Sequence, residues 1–246
     1  MNFITNIRMS SATLHSASEH TGYIKRILDK KATKEGYAEY IYNLAAMSKA
    51  IEDGLDKHSN NETIKDFVTK KLYRSALIEK DVKHLLGENA NSLKLLPSTV
   101  ASITRIKEIS NSQPELVVAY AYTRFLADLF GGRLFYDLLS NEYKIADEGL
   151  NYYNFKELGD MREYTMNYAA KLDSITLHDN VQQEFINEVN NAYIYNLAIS
   201  NELEIKLHPV KRDEKHGHGT GTVHEHANPH GHGHPHSNGH PHGHNH

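Results

Sequence analysis

Apolar residues recur along most of this chain at spacings of three and four, which is the period of a helix with one buried face. The clearest stripe runs from Gly36 to Leu55. Alternating apolar and polar runs between hairpin turns, which would indicate strands, are nearly absent. The pattern therefore predicts an all-α fold, packed as a single irregular bundle of about seven to nine helices.

The predicted helices are separated by short segments rich in Gly, Pro, Asn and Ser, which favour turns. Thr33 and Glu35 form a start signal for one of the helices. Residues 87–91 and 151–155 are predicted to be connectors. The predicted helical segments are residues 5–30, 36–55, 61–86 (as one helix or two), 97–109, 115–135, 155–172 and 179–207.

Residues 115–135 are mostly apolar, yet they contain Arg124, Asp128 and the adjacent glycines Gly131 and Gly132. On a helix, Arg124 and Asp128 lie one turn apart and can form an ion pair. Each glycine in a helix costs about 1 kcal/mol relative to alanine, a cost typical of a kink or of close contact between backbone and a flat object. An ion pair that only stabilises a buried helix would explain the charged residues equally well, but the neighbouring glycines favour a ligand.

The composition excludes several classes of site. The chain has no cysteine, which excludes disulfides, thiolate catalysis and cysteine-ligated metal centres. Its net charge of -4 argues against nucleic acid as the main partner. The N-terminal residues contain no long apolar run, so we expect no signal peptide and no membrane anchor. The absence of cysteine also fits a cytoplasmic location.

From residue 209 the composition changes to His, Gly, Pro and Asn, with almost no apolar side chains. Such a segment buries too little surface to fold. We therefore predict a folded domain of residues 1–208 and a disordered His-rich tail of residues 209–246. The irregular interleaving favours a natural tail over an affinity tag. Closely spaced imidazoles bind nickel or zinc more readily than ferrous iron. We therefore predict that the tail binds nickel or zinc, and this binding is either a function of the protein or only a property of the tail's composition.

His15 lies early in the first predicted helix, in the segment LHSASEH, and Glu19 follows one turn later. Taken alone, such a histidine is most often a surface residue. The alternative is an axial ligand, in which one imidazole nitrogen binds iron and a neighbouring group such as Glu19 orients the ring.

Two stretches together resemble motifs of the haem oxygenase family. YAYTRFLADLFGGRLF is similar to the family's distal-helix motif, and LHSASEH is similar to its proximal-histidine motif. GYAEYIYNLAAMSKAIEDGL and NNAYIYNLAISNEL also resemble the family's second and last helices, so the resemblance covers most of residues 5–207. It implies a haem, as both substrate and cofactor, sandwiched between a proximal N-terminal helix and a kinked distal helix.

The resemblance also implies a role for each matched residue. His15 matches the proximal iron ligand, and Glu19 matches the acidic residue that orients it. Asp128 matches the carboxylate that orders a distal water and delivers a proton during oxygen activation. The other matches are the hydrogen-bond network of that carboxylate (Thr123 and Arg124), the propionate contacts (Arg8 and Tyr122) and the backbone against the haem (Gly131 and Gly132).

Several residues depart from the family's pattern. Ala127 stands where the family usually has glycine, and Phe130 replaces a small residue directly before the glycine pair. Ser48 stands where a tyrosine often joins the water network. Ala169 lies where a second basic propionate contact is expected, and Lys171 is taken as its substitute although a helix turns it to another face. These departures bear on turnover and haem orientation more than on haem binding.

The resemblance implies a soluble enzyme of the bacterial type that cleaves haem to biliverdin, carbon monoxide and ferrous iron with dioxygen. The chain has no nucleotide-binding fingerprint, so a ferredoxin, a flavodoxin or a reductase is expected to supply electrons. Two alternatives stay open. One is a non-catalytic carrier that binds haem and sequesters metal, which Ala127 and Phe130 favour. The other is an all-α domain whose motif is only core packing and an ion pair.

Overall fold

The computed structural model describes residues 2–210 and confirms the all-α prediction. That range contains eight α-helices, seven short 3-10 helices and no strand. The α-helices are α1 (Phe3–His20), α2 (Gly22–Leu28), α3 (Lys34–Lys57), α4 (Ser75–Leu86), α5 (Pro97–Ser112), α6 (Val117–Asn141), α7 (Met161–Asp173) and α8 (Asp179–Leu207). The 3-10 helices are Lys65–Phe67, Lys70–Leu72, Gly87–Ser92, Pro114–Leu116, Asp147–Gly149, Asn151–Tyr153 and Lys156–Leu158.

The first predicted helix is in fact two helices, because the chain breaks between α1 and α2. Gly22 has φ +62°, and a Cβ there would lie 2.6 Å from Ser200 Oγ of α8, so only glycine fits. Ser200 Oγ also accepts a hydrogen bond from Ile24 N at 3.0 Å and donates one to Thr21 O at 3.2 Å. Contact with α8 thus sets the break, and a local sequence pattern does not reveal it.

The segment predicted as helical from residue 61 becomes α-helical only at Ser75. The start of α4 is fixed from α3 by Glu52, whose carboxylate accepts hydrogen bonds from Arg74 N at 2.7 Å and Ser75 N at 3.0 Å. A carboxylate at a helix N-terminus satisfies free N–H groups and complements the helix dipole. The start signal of α4 therefore lies on another helix.

α6 is the central helix of the bundle and packs against α3, α5, α7 and α8. Most of its first half is buried. The helix runs from Val117 to Asn141, beyond the predicted end at Phe135. It continues through Gly131 and Gly132, so the glycine pair does not end it, and a kink there stays a prediction.

α8 ends at Leu207, close to the predicted domain boundary at residue 208. The predicted tail, residues 209–246, lies almost wholly outside the described residues, and both the boundary and the tail stay predictions. Between residues 2 and 210, no helix is both long enough and apolar enough to cross a bilayer.

Candidate active site

A cavity of about 630 Å³ lies beside α6, and we call it the main cavity. α1 and α6 supply most of its lining, and α2, α3, α8 and the turn at residues 151–153 contribute the rest. Its volume falls within the range of about 300–1,000 Å³ that is typical of small-molecule sites. Two helices that are far apart in the sequence therefore meet at one concave surface.

The main cavity brings together all but one of the predicted site residues. These are Arg8, His15 and Glu19 from α1, and Tyr122, Thr123, Arg124, Asp128, Gly131 and Gly132 from α6. Lys171 is the exception, because it lines a separate small cavity on α7. The geometry gives no support to Lys171 as a substitute for a basic residue at Ala169.

Asp128 is the buried centre of the α6 wall. Its Oδ1 accepts hydrogen bonds from Arg124 Nε at 3.1 Å and Arg124 Nη2 at 2.7 Å, so the predicted ion pair is present. The same oxygen accepts a third hydrogen bond, from the Tyr152 hydroxyl at 2.5 Å. Asp128 Oδ2 is buried and has no partner within the described residues. A buried carboxylate oxygen without a donor is costly, so this atom is available to a ligand or water in the cavity.

The Arg124 and Asp128 side chains are only 13% and 3% exposed. Burial alone would lower the pKa of the Arg124 guanidinium, but the attraction of the Asp128 carboxylate outweighs it and raises that pKa above its ordinary value. Burial raises the pKa of Tyr152 well above its ordinary value as well. At neutral pH the arginine is therefore charged and the tyrosine is a protonated donor, as their contacts with Oδ1 require.

Two further hydroxyl groups border this network. The Thr123 hydroxyl donates to Ala119 O, one turn back along α6, at 2.9 Å. Its lone pairs remain free to accept, which fits the predicted membership of a hydrogen-bond network. Tyr40 of α3 also lines the main cavity, and burial raises its pKa to about 12. Tyr40 is thus a second neutral phenol on this side of the cavity.

The α1 side of the cavity is far more open. His15 Nε2 lies 3.1 Å from Glu19 Oε1, and the two side chains are 53% and 57% exposed. The imidazole ring lies 5.4 Å from the ring of Tyr193 on α8. The two α1 residues are therefore paired as the sequence suggested. A metal that binds through Nε2 requires Glu19 to release that nitrogen.

Positive charge lies at the rim of the main cavity. Burial raises the pKa of the Tyr122 phenol, and the positive charge of the nearby Arg8 partly offsets that rise. Arg8 also lines an adjoining groove of about 310 Å³, together with Arg162 and Ala169 of α7. The sequence reasoning missed Arg162. It lies two helical turns before Ala169 on the same face of α7, and that spacing was the signal that could have found it.

The two glycines of α6 differ in what surrounds them. A Cβ at Gly132 would lie 3.2 Å from the ring of Phe155 and 3.6 Å from that of Tyr153, so a side chain there would be crowded. A Cβ at Gly131 would meet only Phe135, at 3.7 Å. The protein leaves room for a side chain at Gly131, so the packing of the fold does not require glycine at this position.

Of three residues that depart from the family's pattern, two line the main cavity and one is buried in α3. Ala127 and Phe130 both line the main cavity, and Phe130 is 68% exposed at its edge. Ser48 is buried in α3, and its hydroxyl has no hydrogen-bond partner among the described residues. The hydroxyl on the Asp128 carboxylate comes instead from Tyr152, in a segment that the sequence indicated only as a connector. No local signal marks Tyr152, because its contact depends on the tertiary fold.

Comparison with known proteins identifies the family. The sequence model of the family described as Heme oxygenase matches residues 1–202. A heme oxygenase from Rhodella violacea is 32% identical over 204 residues, which cover 82% of this chain and 87% of the relative. Heme oxygenase 1 from Nostoc sp. is 27% identical over 208 residues, which cover 84% of this chain and 87% of the relative.

Solved structures of heme oxygenases also align with this chain. Heme oxygenase-1 from the cyanobacterium Synechocystis, in complex with heme, aligns with a TM-score of 0.79 and 25% identity over 84% of this chain and 94% of that one. The heme oxygenase from Leptospira interrogans aligns with a TM-score of 0.77 and 25% identity over 82% of this chain and all of the other (100%). The match over most of each chain's length confirms the resemblance seen in the motifs, and the chain belongs to the heme oxygenase family.

Proposed function

We propose that this protein is a working haem oxygenase that cleaves haem to biliverdin, carbon monoxide and ferrous iron. One observation carries the proposal. Asp128 is buried at the wall of a cavity that also contains His15, with one carboxylate oxygen saturated by donors and the other unpaired. Family membership supports haem degradation, and the free carboxylate oxygen supports a chemical role for the cavity beyond storage.

The residues of the main cavity fit a haem. Gly131 leaves space beside the α6 backbone, and Asp128 Oδ2 offers an acceptor to a water beside the ligand. His15 would bind the iron, with Glu19 as the group that orients the ring. Arg8 and Tyr122 would neutralise and bind a propionate at the rim. When bound, the haem supplies the iron that activates dioxygen.

The chain's own contribution is the placement of proton donors. Arg124 and Tyr152 hold Asp128 Oδ1, so the orientation of the unpaired Oδ2 is fixed as well. A carboxylate that orders a water at the reacting centre transfers protons at a rate typically 10²–10⁴ times that of an unassisted step. The proposed role of Asp128 is therefore to pass protons from solvent through that water, and the role of Thr123 and Tyr40 is to extend the network.

Electrons must come from outside, because we find no nucleotide-binding fingerprint in the sequence. We propose a ferredoxin, a flavodoxin or a reductase as the donor, with dioxygen as the co-substrate. The proposal assigns no role to Lys171. A cytoplasmic location stays a prediction.

The test is to mix the purified protein with hemin and then with a reductant in air. We expect a Soret band to form and then to fade as a green pigment appears. Asp128→Asn should keep the Soret band and slow its loss about 100-fold or more. Asp137→Asn is the matched control, because Asp137 forms a similar pair with Arg133 on the exposed part of α6. Absence of the band, or an intact band in the wild type, would contradict the proposal.

The second candidate is a carrier that binds haem without cleaving it. Its support is that Ala127 and Phe130 both line the main cavity, where an added methyl and an added ring can displace water. Haem that stays intact through aerobic reduction, with the Soret band retained, would favour this alternative over the enzyme.

The His-rich tail is a separate proposal, because it lies outside the described residues. We expect nickel or zinc to bind there. Within residues 2–210 no three His, Cys, Asp or Glu side chains are gathered into a metal site. Equilibrium dialysis of zinc against the full chain and against a version that ends at Leu207 measures the difference. Equal stoichiometry in both would assign the metal to the helical part.

A further inference from the structure

Tyr152 approaches the active-site carboxylate from outside the helix that carries it. It lies in the 3-10 turn Asn151–Tyr153, between α6 and α7. Its side chain is 2% exposed, and its hydroxyl donates to Asp128 Oδ1 at 2.5 Å. The ring stacks on Tyr153, with centroids 4.6 Å apart. A fully buried phenol is therefore committed to one carboxylate oxygen at the wall of the main cavity.

The backbone of the turn is held just as firmly, by a buried residue of α4. Asp81 Oδ2 accepts a hydrogen bond from Tyr152 N at 2.8 Å, and Asp81 Oδ1 accepts one from Asn151 N at 2.9 Å. Asp81 has no solvent exposure (0%). Two carboxylates, on α4 and α6, thus fix the main chain and the side chain of the same tyrosine.

Arg124 alone would not define the orientation of Asp128. Both residues lie on α6, one turn apart, and a guanidinium and a carboxylate on one helix face can rotate together. The Tyr152 hydroxyl comes from a different element, so the carboxylate is held from two directions. All three donor atoms converge on Oδ1, which leaves Oδ2 as the buried oxygen without a partner among the described residues.

We propose that Tyr152 is a positioning residue for the haem oxygenase reaction, which fixes the rotation of the Asp128 carboxyl so that Oδ2 is the oxygen presented to the ligand. This inference rests on the proposed function for its catalytic consequence. The contact itself is present without haem. Ser48 has no phenol to offer at the position where the family often has a tyrosine. Tyr152 thus supplies a phenol to the Asp128 carboxylate from a different position.

The test uses Tyr152→Phe, which keeps the ring and removes only the hydroxyl. The matched control is Tyr136→Phe, because Tyr136 also donates to an aspartate, Asp147, at 2.6 Å, away from the main cavity. In haem-free protein, the ¹³C resonance of the Asp128 carboxyl, identified by its loss in Asp128→Asn, should move in Tyr152→Phe and stay in the control. A retained circular dichroism spectrum establishes that both variants fold.

With haem bound, Tyr152→Phe should keep the wild-type haem affinity. The rate at which the bound haem is degraded should fall roughly 10- to 100-fold. A carboxyl resonance identical to the wild type would overturn the proposal. A shifted resonance with an unchanged rate would also overturn it, because the contact would then have only a structural role. If the wild type binds haem and does not degrade it, the proposed function fails, and the resonance alone then decides whether Tyr152 positions Asp128.

Discussion

Gly131 allows a prediction in which stability and binding change in opposite directions. Replacing a helical glycine with alanine stabilises a helix by about 1 kcal/mol where the methyl meets no obstacle. At Gly131 the added Cβ would meet only Phe135, at the ordinary contact distance of 3.7 Å. Gly131→Ala should therefore stabilise the haem-free protein by up to about 1 kcal/mol, which raises the melting temperature by roughly 2–4 °C in a domain of this size.

The same methyl would occupy space that we assign to the haem. Crowding of a packed contact costs about 1–3 kcal/mol, so haem affinity should fall at least about fivefold, since 1.4 kcal/mol is a factor of ten. Urea unfolding of the haem-free protein measures the first effect. Titration with hemin, followed at the Soret band, measures the second.

Gly132→Ala is the control for this pair of measurements. Its Cβ would lie 3.2 Å from Phe155, so crowding should cancel the gain in helix propensity and leave the stability unchanged or lower. If Gly131→Ala stabilises the protein and leaves haem affinity unchanged, the α6 backbone is not the surface that contacts the haem. If Gly131→Ala destabilises the fold, the account of free space at this position is wrong.

Three further predictions concern charged and ligating residues. Arg124→Met leaves the Asp128 carboxylate buried without its cation, and urea unfolding should show a loss of about 3 kcal/mol. His15→Ala should abolish the axial-imidazole signature in the absorption spectrum of the haem complex while the helical fold is retained. Glu188 accepts hydrogen bonds from Arg105 and Tyr120 that outweigh burial and lower its pKa below the ordinary 4.5, so its stabilising effect is present above pH 4.5. The stability difference between wild type and Glu188→Gln should therefore shrink as the pH falls from 6 through about 4.5 and below.

Two of these predictions have an internal control, and the third has an outcome that would contradict it. Arg133→Met removes a pair whose arginine is 84% exposed and should change stability by less than about 1 kcal/mol. A loss as large as that of Arg124→Met would show that burial does not set the cost. His20→Ala removes an exposed histidine of α1 and should leave the haem spectrum unchanged. A difference for Glu188→Gln that grows on acidification would reverse the sign derived for that carboxyl.

The fold class and the α6 wall of the main cavity could be predicted from local signals in the sequence, whereas the cavity residues on α1 were assigned by the resemblance to the haem oxygenase family. Helical periodicity is local, and Arg124, Asp128 and the glycines occupy one helix. Features that depend on distant partners could not be predicted. The break at Gly22 is imposed by α8, and the start of α4 is set by Glu52 of α3.

The same distinction explains the errors at the site. Tyr152 reaches Asp128 only because Asp81 holds its turn, and none of these three residues is close to another in the sequence. Lys171 was taken as a substitute by proximity in sequence to Ala169, although two residues along a helix point to different sides. Arg162, two turns away from Ala169, lines the same groove as Ala169 and Arg8.

The two walls of the main cavity differ in exposure as well as in chemistry. The α6 wall is held by buried hydrogen bonds, whereas the His15 and Glu19 side chains on α1 are more than half exposed. α1 is also separated from α2 by the break at Gly22. The side chains on the α1 wall can therefore change partners at the solvent boundary while the buried contacts of α6 stay in place. Exchange of the occupant of the cavity would then leave the hydrogen bonds of Asp128 intact, so the α6 wall would not have to be rebuilt each time.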